Sequence, residues 1–327
     1  MYIATIDGGT SNTRCTVWKD GEILGEAKAA VGVRNTAIDG VNHQLVAAVR
    51  DTLRAAAECA GIVSEEIALV LAAGMLTSNV GLCEIPHVTA PIRLDDLAAA
   101  MEKRDLPAVC AQPIHFIPGV RNAAPETLTS ETMRDMDIMR GEETETAGLL
   151  AQTDLEGRVV FVLPGSHNKY VMVDETQSIR GCMTTLGGEL LRALTLETIL
   201  ADTLNRSFAV TFDADAFRQG AADCAQTGLL HGAFMTRIRG MFAHYSPCAA
   251  QNYLLGLLLA DELHALRKSR IFGGLADAVF VVAGSPIMQE AYKALLGDQG
   301  MHVICAAEQR SLAGRGALEL SRRRGWI

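Results

Sequence analysis

Two short stretches concentrate the side chains that could handle a phosphate group. Asp7-Gly8-Gly9-Thr10-Ser11-Asn12 sets one carboxylate, two positions without side chains and three hydroxyl or amide groups in a tight loop. Pro164-Gly165-Ser166-His167-Asn168-Lys169 repeats the Gly-plus-polar character in the second half of the chain and adds the only lysine in either loop. Exposed amides and hydroxyls donate to phosphate oxygens, and an Asp can address the accompanying magnesium ion. A lysine adds a point charge on the anion. Taken singly, each stretch also reads as an ordinary Gly-containing hairpin turn.

Three further stretches carry chemistry. Met139-Arg140-Gly141-Glu142-Glu143-Thr144-Glu145-Thr146 opens a helix with acidic residues, which also suits the positive end of the helix dipole. Ala73-Gly74-Met75-Leu76-Thr77-Ser78-Asn79 ends a strand where open α/β folds place ligand groups, or where a plain strand-to-helix connection lies. In Gly284-Ser285-Pro286, Ser285 is placed to cap a helix with Pro286 at its first position, running to about Gly297.

The elements around these stretches follow from periodicity. Residues 2–6 predict a buried strand and 14–18 a second, with Asp20-Gly21 as a two-residue turn. The second loop has the same flanks, strands at 158–163 and 170–174, with a third at 179–185. Val41, Leu45, Ala48, Val49, Leu53 and Ala56 recur at helical spacing, and further helices are predicted at 190–200 and 251–268. Strands are predicted at 67–71, 114–117, 278–283 and 302–306, a short helix at 94–103, and helices of a cap or insertion within 202–248. Residues 32–40 read as loop, 84–93 as loop or edge strand, and 121–137 as a polar segment, either mobile or substrate-facing.

A Rossmann or P-loop layout is excluded, because each follows its Gly loop directly with a helix and no G-K-[ST] is present. Repeated strand–loop–strand halves instead predict an α/β fold of two lobes. That is the actin-like ATPase (ribonuclease H-like) architecture, with duplicated βββαβα lobes and a central ATP cleft. The lobes are expected at 1–152 and 153–327, with the last helix, 311–325, at their junction. Its Ala313, Gly314, Gly316 and Ala317 would let it cross another helix closely.

Composition sets the remaining bounds. Of 327 residues, 49% are hydrophobic and 20% charged, enough apolar material for two packed cores. A net charge of −9 without a Lys/Arg block argues against a nucleic-acid partner, and Arg322-Arg323-Arg324 reads as the cationic end of the last helix. The 8 cysteines form no C-x-x-C pair, which fits reduced thiols and gives no zinc spacing. A strand from residue 2 leaves no room for a signal peptide, and the apolar run 254–260 is too short to cross a bilayer. The expectation is a soluble cytoplasmic protein with no membrane partner.

Met75 to Gly81 (MLTSNVG), Met139 to Thr144 (MRGEET), Pro164 to Lys169 (PGSHNK) and Val282-Ala283-Gly284-Ser285 together resemble the 2-dehydro-3-deoxygalactonokinase family over nearly the whole chain. Ser166 stands where that family more often has Thr, and Leu82 where it has an aromatic residue. The resemblance implies ATP- and Mg2+-dependent phosphorylation of 2-dehydro-3-deoxygalactonate on its terminal hydroxyl, in galactonate degradation. It further implies that Asp7 holds magnesium through water and that Gly8, Gly9, Thr10, Ser11 and Asn12 grip the β- and γ-phosphates from one lobe. Gly165, Ser166 and Lys169 would grip them from the other, with His167 either touching phosphate or bracing the hairpin.

Glu142 is the candidate general base by similarity to glycerol- and xylulose-type kinases, with Glu143 as the alternative, because consecutive helical residues point about 100° apart. The anionic substrate needs a partner for its carboxylate, and Arg140, then Arg14 and Arg121, are the candidates. Met75, Ser78 and Asn79 would meet the sugar, and Gly284 and Ser285 the adenosine or α-phosphate. The sugar acid is the expected partner, and a homodimer is an open option for assembly. Competing readings are a non-catalytic sensor of the same fold, a kinase for another sugar acid such as 2-keto-3-deoxygluconate, and a phosphohydrolase.

Overall fold

The computed structural model describes residues 1–327. The first half contains β1 (Tyr2–Gly8), β2 (Thr13–Lys19), β3 (Glu22–Ala29), α1 (Val33–Asp39), α2 (His43–Cys59), β4 (Ile67–Gly74), β5 (Val88–Thr89), β6 (Ile92–Arg93), α3 (Leu94–Ala99), β7 (Glu102–Arg104), β8 (Ile114–Phe116), β9 (Val120–Arg121), β10 (Ile138–Met139) and α4 (Glu142–Leu150). The second contains β11 (Val159–Leu163), β12 (Asn168–Val173), β13 (Ser178–Thr185), α5 (Gly187–Glu197), α6 (Ala214–Phe242), α7 (Pro247–Lys268), β14 (Val279–Val282), α8 (Pro286–Gly297), β15 (His302–Cys305) and α9 (Leu312–Arg323).

The two large sheets repeat one plan. The first runs β3-β2-β1-β4-β8-β7 and the second β13-β12-β11-β14-β15, with β6 added beyond β13. In each, three strands meander antiparallel and two more add in parallel, so β1 pairs with β2 and β4 as β11 pairs with β12 and β14. This is the duplicated, actin-like plan expected from the repeated hairpins. A small sheet, β10-β9-β5, closes one side.

Strand alternation distributes the core. Ala4, Ile6, Val70 and Ala72 face the α2 stripe of Leu45, Val49, Leu53 and Ala56. Ile3, Leu69, Leu71 and Ala73 face the other way, into one core with Phe161, Leu163 and Val281 of the second sheet and Leu312 and Leu318 of α9. The outer face of the second sheet, Val160, Val162 and Phe280, packs on Leu255, Leu259 and Leu263 of α7. Helices α4 and α9 thus lie between the sheets. No helix is long and apolar enough to cross a membrane.

Two local expectations are corrected. Residues 33–39 are helical, not loop: Asn35 Oδ1 accepts from Gly32 N at 3.3 Å, and Gly40 ends the helix at φ 72°. The helix at 94 stops at Ala99, and Glu102–Arg104 is a strand paired with β8. Ile92–Arg93 pairs with Ser178–Ile179 of the second sheet, so the first half of the chain contributes an edge to the second.

The crossing of α4 and α9 tolerates no side chain at its centre. A Cβ on Gly316 would lie 1.7 Å from Thr144 O, and one on Gly148 2.5 Å from Leu312 O. Gly316→Ala is therefore expected to destabilise the chain by about 1–3 kcal/mol through overpacking. Urea unfolding of the variant with an unchanged midpoint would contradict this crossing.

Candidate active site

The ends of β1, β4 and β11 converge on a cleft of about 300 Å³. Asp7, Gly8, Gly9 and Thr10 line one side, and Pro164, Gly165, Ser166 and His167 the other. Met75, Arg140, Gly141, Glu142 and Glu145 complete the wall. The two glycine loops thus face a common space.

The first loop is held by backbone. Gly9 N donates to Asn12 O at 2.8 Å, closing the turn. Val33 N and Arg34 N at the start of α1 donate to Gly9 O and Thr10 O at 3.2 and 3.0 Å, so the unanticipated helix braces this loop. Gly74, at φ 73°, sits so near that a Cβ would meet Gly8 O at 2.6 Å and Asp7 Oδ1 at 3.1 Å. Ser11 and Asn12 are exposed beyond the cleft wall.

At the start of α4, Glu142 faces the cleft, with Oε2 accepting from Arg140 N at 3.0 Å. Glu143 does not. Its carboxylate is fully buried and accepts from Gly141 N at 2.9 and 2.8 Å and from Thr144 Oγ1 at 3.1 Å. Burial, then Glu142, pushes its pKa up to about 7. It braces the positive-φ Gly141 turn instead of meeting a substrate.

Glu145 was missed by sequence reasoning. It lies three residues after Glu142, about 60° away around a helix, and so shares the cleft face that Glu143 leaves. Burial, followed by Asp7, Glu142 and Glu143, raises its pKa to about 8, while Arg14 opposes the shift. Asp7 is also raised, by burial first and by Glu142, again against Arg14. No three His, Cys, Asp or Glu side chains are grouped closely enough to ligate one metal ion. The cleft carboxylates Asp7, Glu142 and Glu145 are hard oxygen donors of the kind a hydrated magnesium ion, which keeps its waters and meets one or two carboxylates, would accept.

Lys169 is not in the cleft. It is 5% exposed, and its Nζ donates to Ile138 O at 2.9 Å and to Thr184 Oγ1. Strand alternation explains this: the residue after Asn168 points to the opposite face of β12. Arg140 lines the cleft, but its Nη1 donates to Thr77 O at 2.7 Å and its Nη2 to Ile85 O at 3.1 Å. His87 Nδ1 accepts from the same Nη2 at 3.2 Å, and burial with Arg140 and Arg121 lowers the His87 pKa to about 4. Arg14 instead borders a smaller cavity with Asp7, Glu145, Gln309 and Ser311, and Arg121 is exposed and bonded to Thr89.

The remaining candidates divide similarly. Ser78 is buried with its hydroxyl on Met75 O at 2.7 Å, while Asn79 is exposed and lies off the wall. His167 lines the cleft, and its Nε2 is 3.2 Å from Glu189 Oε1 of α5 in a half-exposed contact. Ser285 caps α8 by position, but its hydroxyl makes no cap bond. It opens onto an adjoining pocket of about 280 Å³ shared with Gly165, Gly187, Gly188, Leu255 and Met288. Gly284, at φ 95°, packs on Pro164 behind it. That pocket and its apolar extension past Phe208 and Ile287 were also missed; the Gly187-Gly188 pair after a strand was the available signal.

The raised Glu145 carboxyl has a measurable sign. Between its ordinary 4.5 and about 8, the folded chain holds a proton that the unfolded chain has lost. Stability from this group therefore falls as pH rises through that window. Glu145→Gln is expected to flatten the decline in Tm from pH 5 to 8 and to raise Tm at pH 8, read by thermal unfolding without nucleotide. Parallel curves for the two proteins would refute the assignment.

A family model described as 2-keto-3-deoxy-galactonokinase matches residues 7–318. The chain is 26% identical over 306 residues to the probable 2-dehydro-3-deoxygalactonokinase of Rhizobium meliloti (strain 1021), covering 92% of this chain and 91% of the relative. It is also 26% identical over 298 residues to the 2-dehydro-3-deoxygalactonokinase of Escherichia coli (strain K12), covering 90% of each. The crystal structure of a putative 2-dehydro-3-deoxygalactonokinase from Sinorhizobium meliloti superposes with a TM-score of 0.75 at 23% identity, covering 99% of this chain and 100% of that one. A putative N-acetylglucosamine kinase from Porphyromonas gingivalis shares the fold at a TM-score of 0.50 and 13% identity, over 99% and 100% of the two chains.

Proposed function

Because the chain belongs to the 2-keto-3-deoxy-galactonokinase family, we propose that it transfers the γ-phosphoryl group of ATP to the terminal hydroxyl of 2-dehydro-3-deoxy-D-galactonate, giving the 6-phosphate. The observation that carries this reading is the pair of glycine loops, Asp7–Thr10 and Pro164–His167, facing each other across one cleft with Glu142 in its wall. The lobes 1–152 and 153–327 each supply one loop.

In this reading Gly8, Thr10 and Ser166 hold the transferring phosphates through amides and hydroxyls, while Gly9 and Gly165, whose own amides are spent on Asn12 and Asn168, let the phosphates approach the backbone. Asp7 and Glu145 would hold the water shell of a magnesium ion, which would supply charge neutralisation on the phosphates. Glu142 accepts the proton of the attacking hydroxyl; it is preferred to Glu143, whose acceptors are spent on Gly141 and Thr144. Arg140 offers its charge and its remaining Nε to the sugar acid's carboxylate, near Met75. The adenosine lies beyond Gly165, along Ser285 and the apolar pocket at Leu255 and Met288. Lys169 acts at a distance from phosphate, by tying Ile138 beneath Arg140. The same reading assigns the enzyme to the cytoplasm and takes a homodimer as the assembly that light scattering would detect.

A coupled ADP-release assay over a panel of sugar acids tests it. ADP formed only with 2-keto-3-deoxy sugar acids supports the kinase, and the faster C4 epimer names the substrate. No turnover with any acid, or phosphate released without an acceptor, overturns it. Within that assay, Glu142→Gln is expected to keep ATP affinity and lose ~10²–10⁴ in kcat. Unchanged turnover would remove Glu142 from the role.

A further inference from the structure

Glu262 lies on α7, outside both the cleft and the adjoining pocket, and is 5% exposed. Its Oε1 accepts from Asn168 Nδ2 at 2.9 Å and Thr185 Oγ1 at 2.5 Å. Its Oε2 accepts from the hydroxyls of Tyr170 at 2.6 Å and Tyr292 at 3.1 Å. These donors come from β12, the end of β13 and α8, and all are neutral. A buried carboxylate is costly without such compensation, so its presence here calls for a reason. At the start of α5, Gly187 packs so close that a Cβ would lie 1.8 Å from Oε1.

The consequence falls on Asn168. A carboxylate only accepts, so Asn168 turns Nδ2 towards Glu262 and Oδ1 the other way. That Oδ1 accepts from Gly165 N at 3.0 Å, in the second glycine loop. The opposite side of the loop is fixed by α5: Glu189 N donates to Ser166 O at 2.9 Å, and a Cβ on Gly188 would lie 1.9 Å from Gly165 O. With Gly165 N committed to Asn168, the cleft-lining backbone from Ser166 onward is what remains to meet an anion.

The geometry points to Glu262 as the positioning residue of this loop: by fixing which way the Asn168 amide faces, it sets the conformation that receives the nucleotide's phosphates. The inference rests on the reading of Pro164–His167 as a phosphate loop. Glu262 touches no substrate, although Asn168 and Gly187 beside it also border the adjoining pocket. The polarity of the Asn168 amide is transmitted to Gly165 N, so the loss of Glu262 should act chiefly on phosphate binding and far less on the nucleoside.

Calorimetric titration with MgATP and with adenosine separates the two. In Glu262→Met the Asn168 amide has no acceptor, and MgATP is expected to bind about tenfold or more weakly, with adenosine within about threefold of wild type. Glu262→Gln keeps one acceptor towards Asn168 and should stay within about threefold for both ligands. Asn168→Asp sets carboxylate against carboxylate. Combined with Glu262→Gln, it restores a donor–acceptor pair in the opposite sense, and the double variant is expected to bind MgATP about tenfold more tightly than Asn168→Asp alone. Equal loss of MgATP and adenosine in Glu262→Met, no loss of either, or no rescue in the double variant would overturn the role of Glu262. Wild-type protein that binds MgATP no more tightly than adenosine would instead overturn the phosphate-loop reading beneath it.

Discussion

Backbone meets backbone where α4 crosses α9, and the position of the cleft's acidic wall depends on that contact. Gly148 and Gly316 leave no room for a side chain between the helices. With α4 seated this deeply, its first turn reaches the cleft and carries Glu142 and Glu145 to it. The other end of the contact holds the first hairpin. Gly314 of α9 packs against Trp18 and Thr5, whose side chains are themselves joined at 2.8 Å, and Ser311 Oγ lies 2.8 Å from Thr16 Oγ1. The Asp7–Arg14 pair lies two rungs beyond Thr5–Thr16 toward the loop, so one crossing registers the hairpin of the first loop against the carboxylates it faces.

That registration creates an electrostatic problem. Asp7, Glu142 and Glu145 crowd one wall of a cleft in a chain that already carries a net charge of −9. Two like charges 4 Å apart near a protein surface repel by about 4 kcal/mol. Burial first, and then this crowding by Asp7, Glu142 and Glu143, raises the Glu145 pKa to about 8. The same crowding would favour a divalent cation over a proton. It also leaves the binding of anionic phosphates to neutral groups, the loop amides and the hydroxyls of Thr10 and Ser166. In the proposed kinase a carboxylate wall and two amide-rich loops would be complementary parts of one site, the first addressing the metal and the second the phosphates.

How much of this was legible in the sequence depended on whether the signal was local. The two loops are written in contiguous residues, and their flanking strands in simple alternation, so the duplicated sheets followed from the chain. The orientation of side chains did not. Lys169 looks like a phosphate ligand in PGSHNK, yet alternation along β12 turns it away once Asn168 is committed to Glu262. Glu145 was legible in principle from its spacing to Glu142, but the run of acids at 142–145 has a sufficient explanation in the helix dipole and hides it. The α1 helix escaped because its pattern is too short to show a period and its terminal glycine reads as loop. Glu262 could not have been found at all, since its partners lie far along the chain from it.

The connections between the two halves of the chain limit how the cleft can open. On one side the halves share buried polar contacts: Asn122 exchanges hydrogen bonds with both Cys182 N and Cys182 O at 2.8 Å, Lys169 reaches Ile138 O, and β6 pairs with β13. Breaking a buried hydrogen bond without replacement costs about 1–3 kcal/mol for each orphaned group. Across α4 and α9 the halves share a continuous apolar core that includes Phe161 and Leu71. Motion that separates the two loops must therefore hinge on these contacts and leave them intact. Its largest displacement falls at the mouth lined by Thr10, Ser166 and His167, where the structure has only exposed side chains to move. A sugar acid seated near Arg140 would lie close to the hinge, and the nucleotide would span the part that opens. Arg140 is held from both directions, by Thr77 and Ile85 through its guanidinium and by Lys169 through Ile138, so the substrate end keeps its shape while the phosphate end moves.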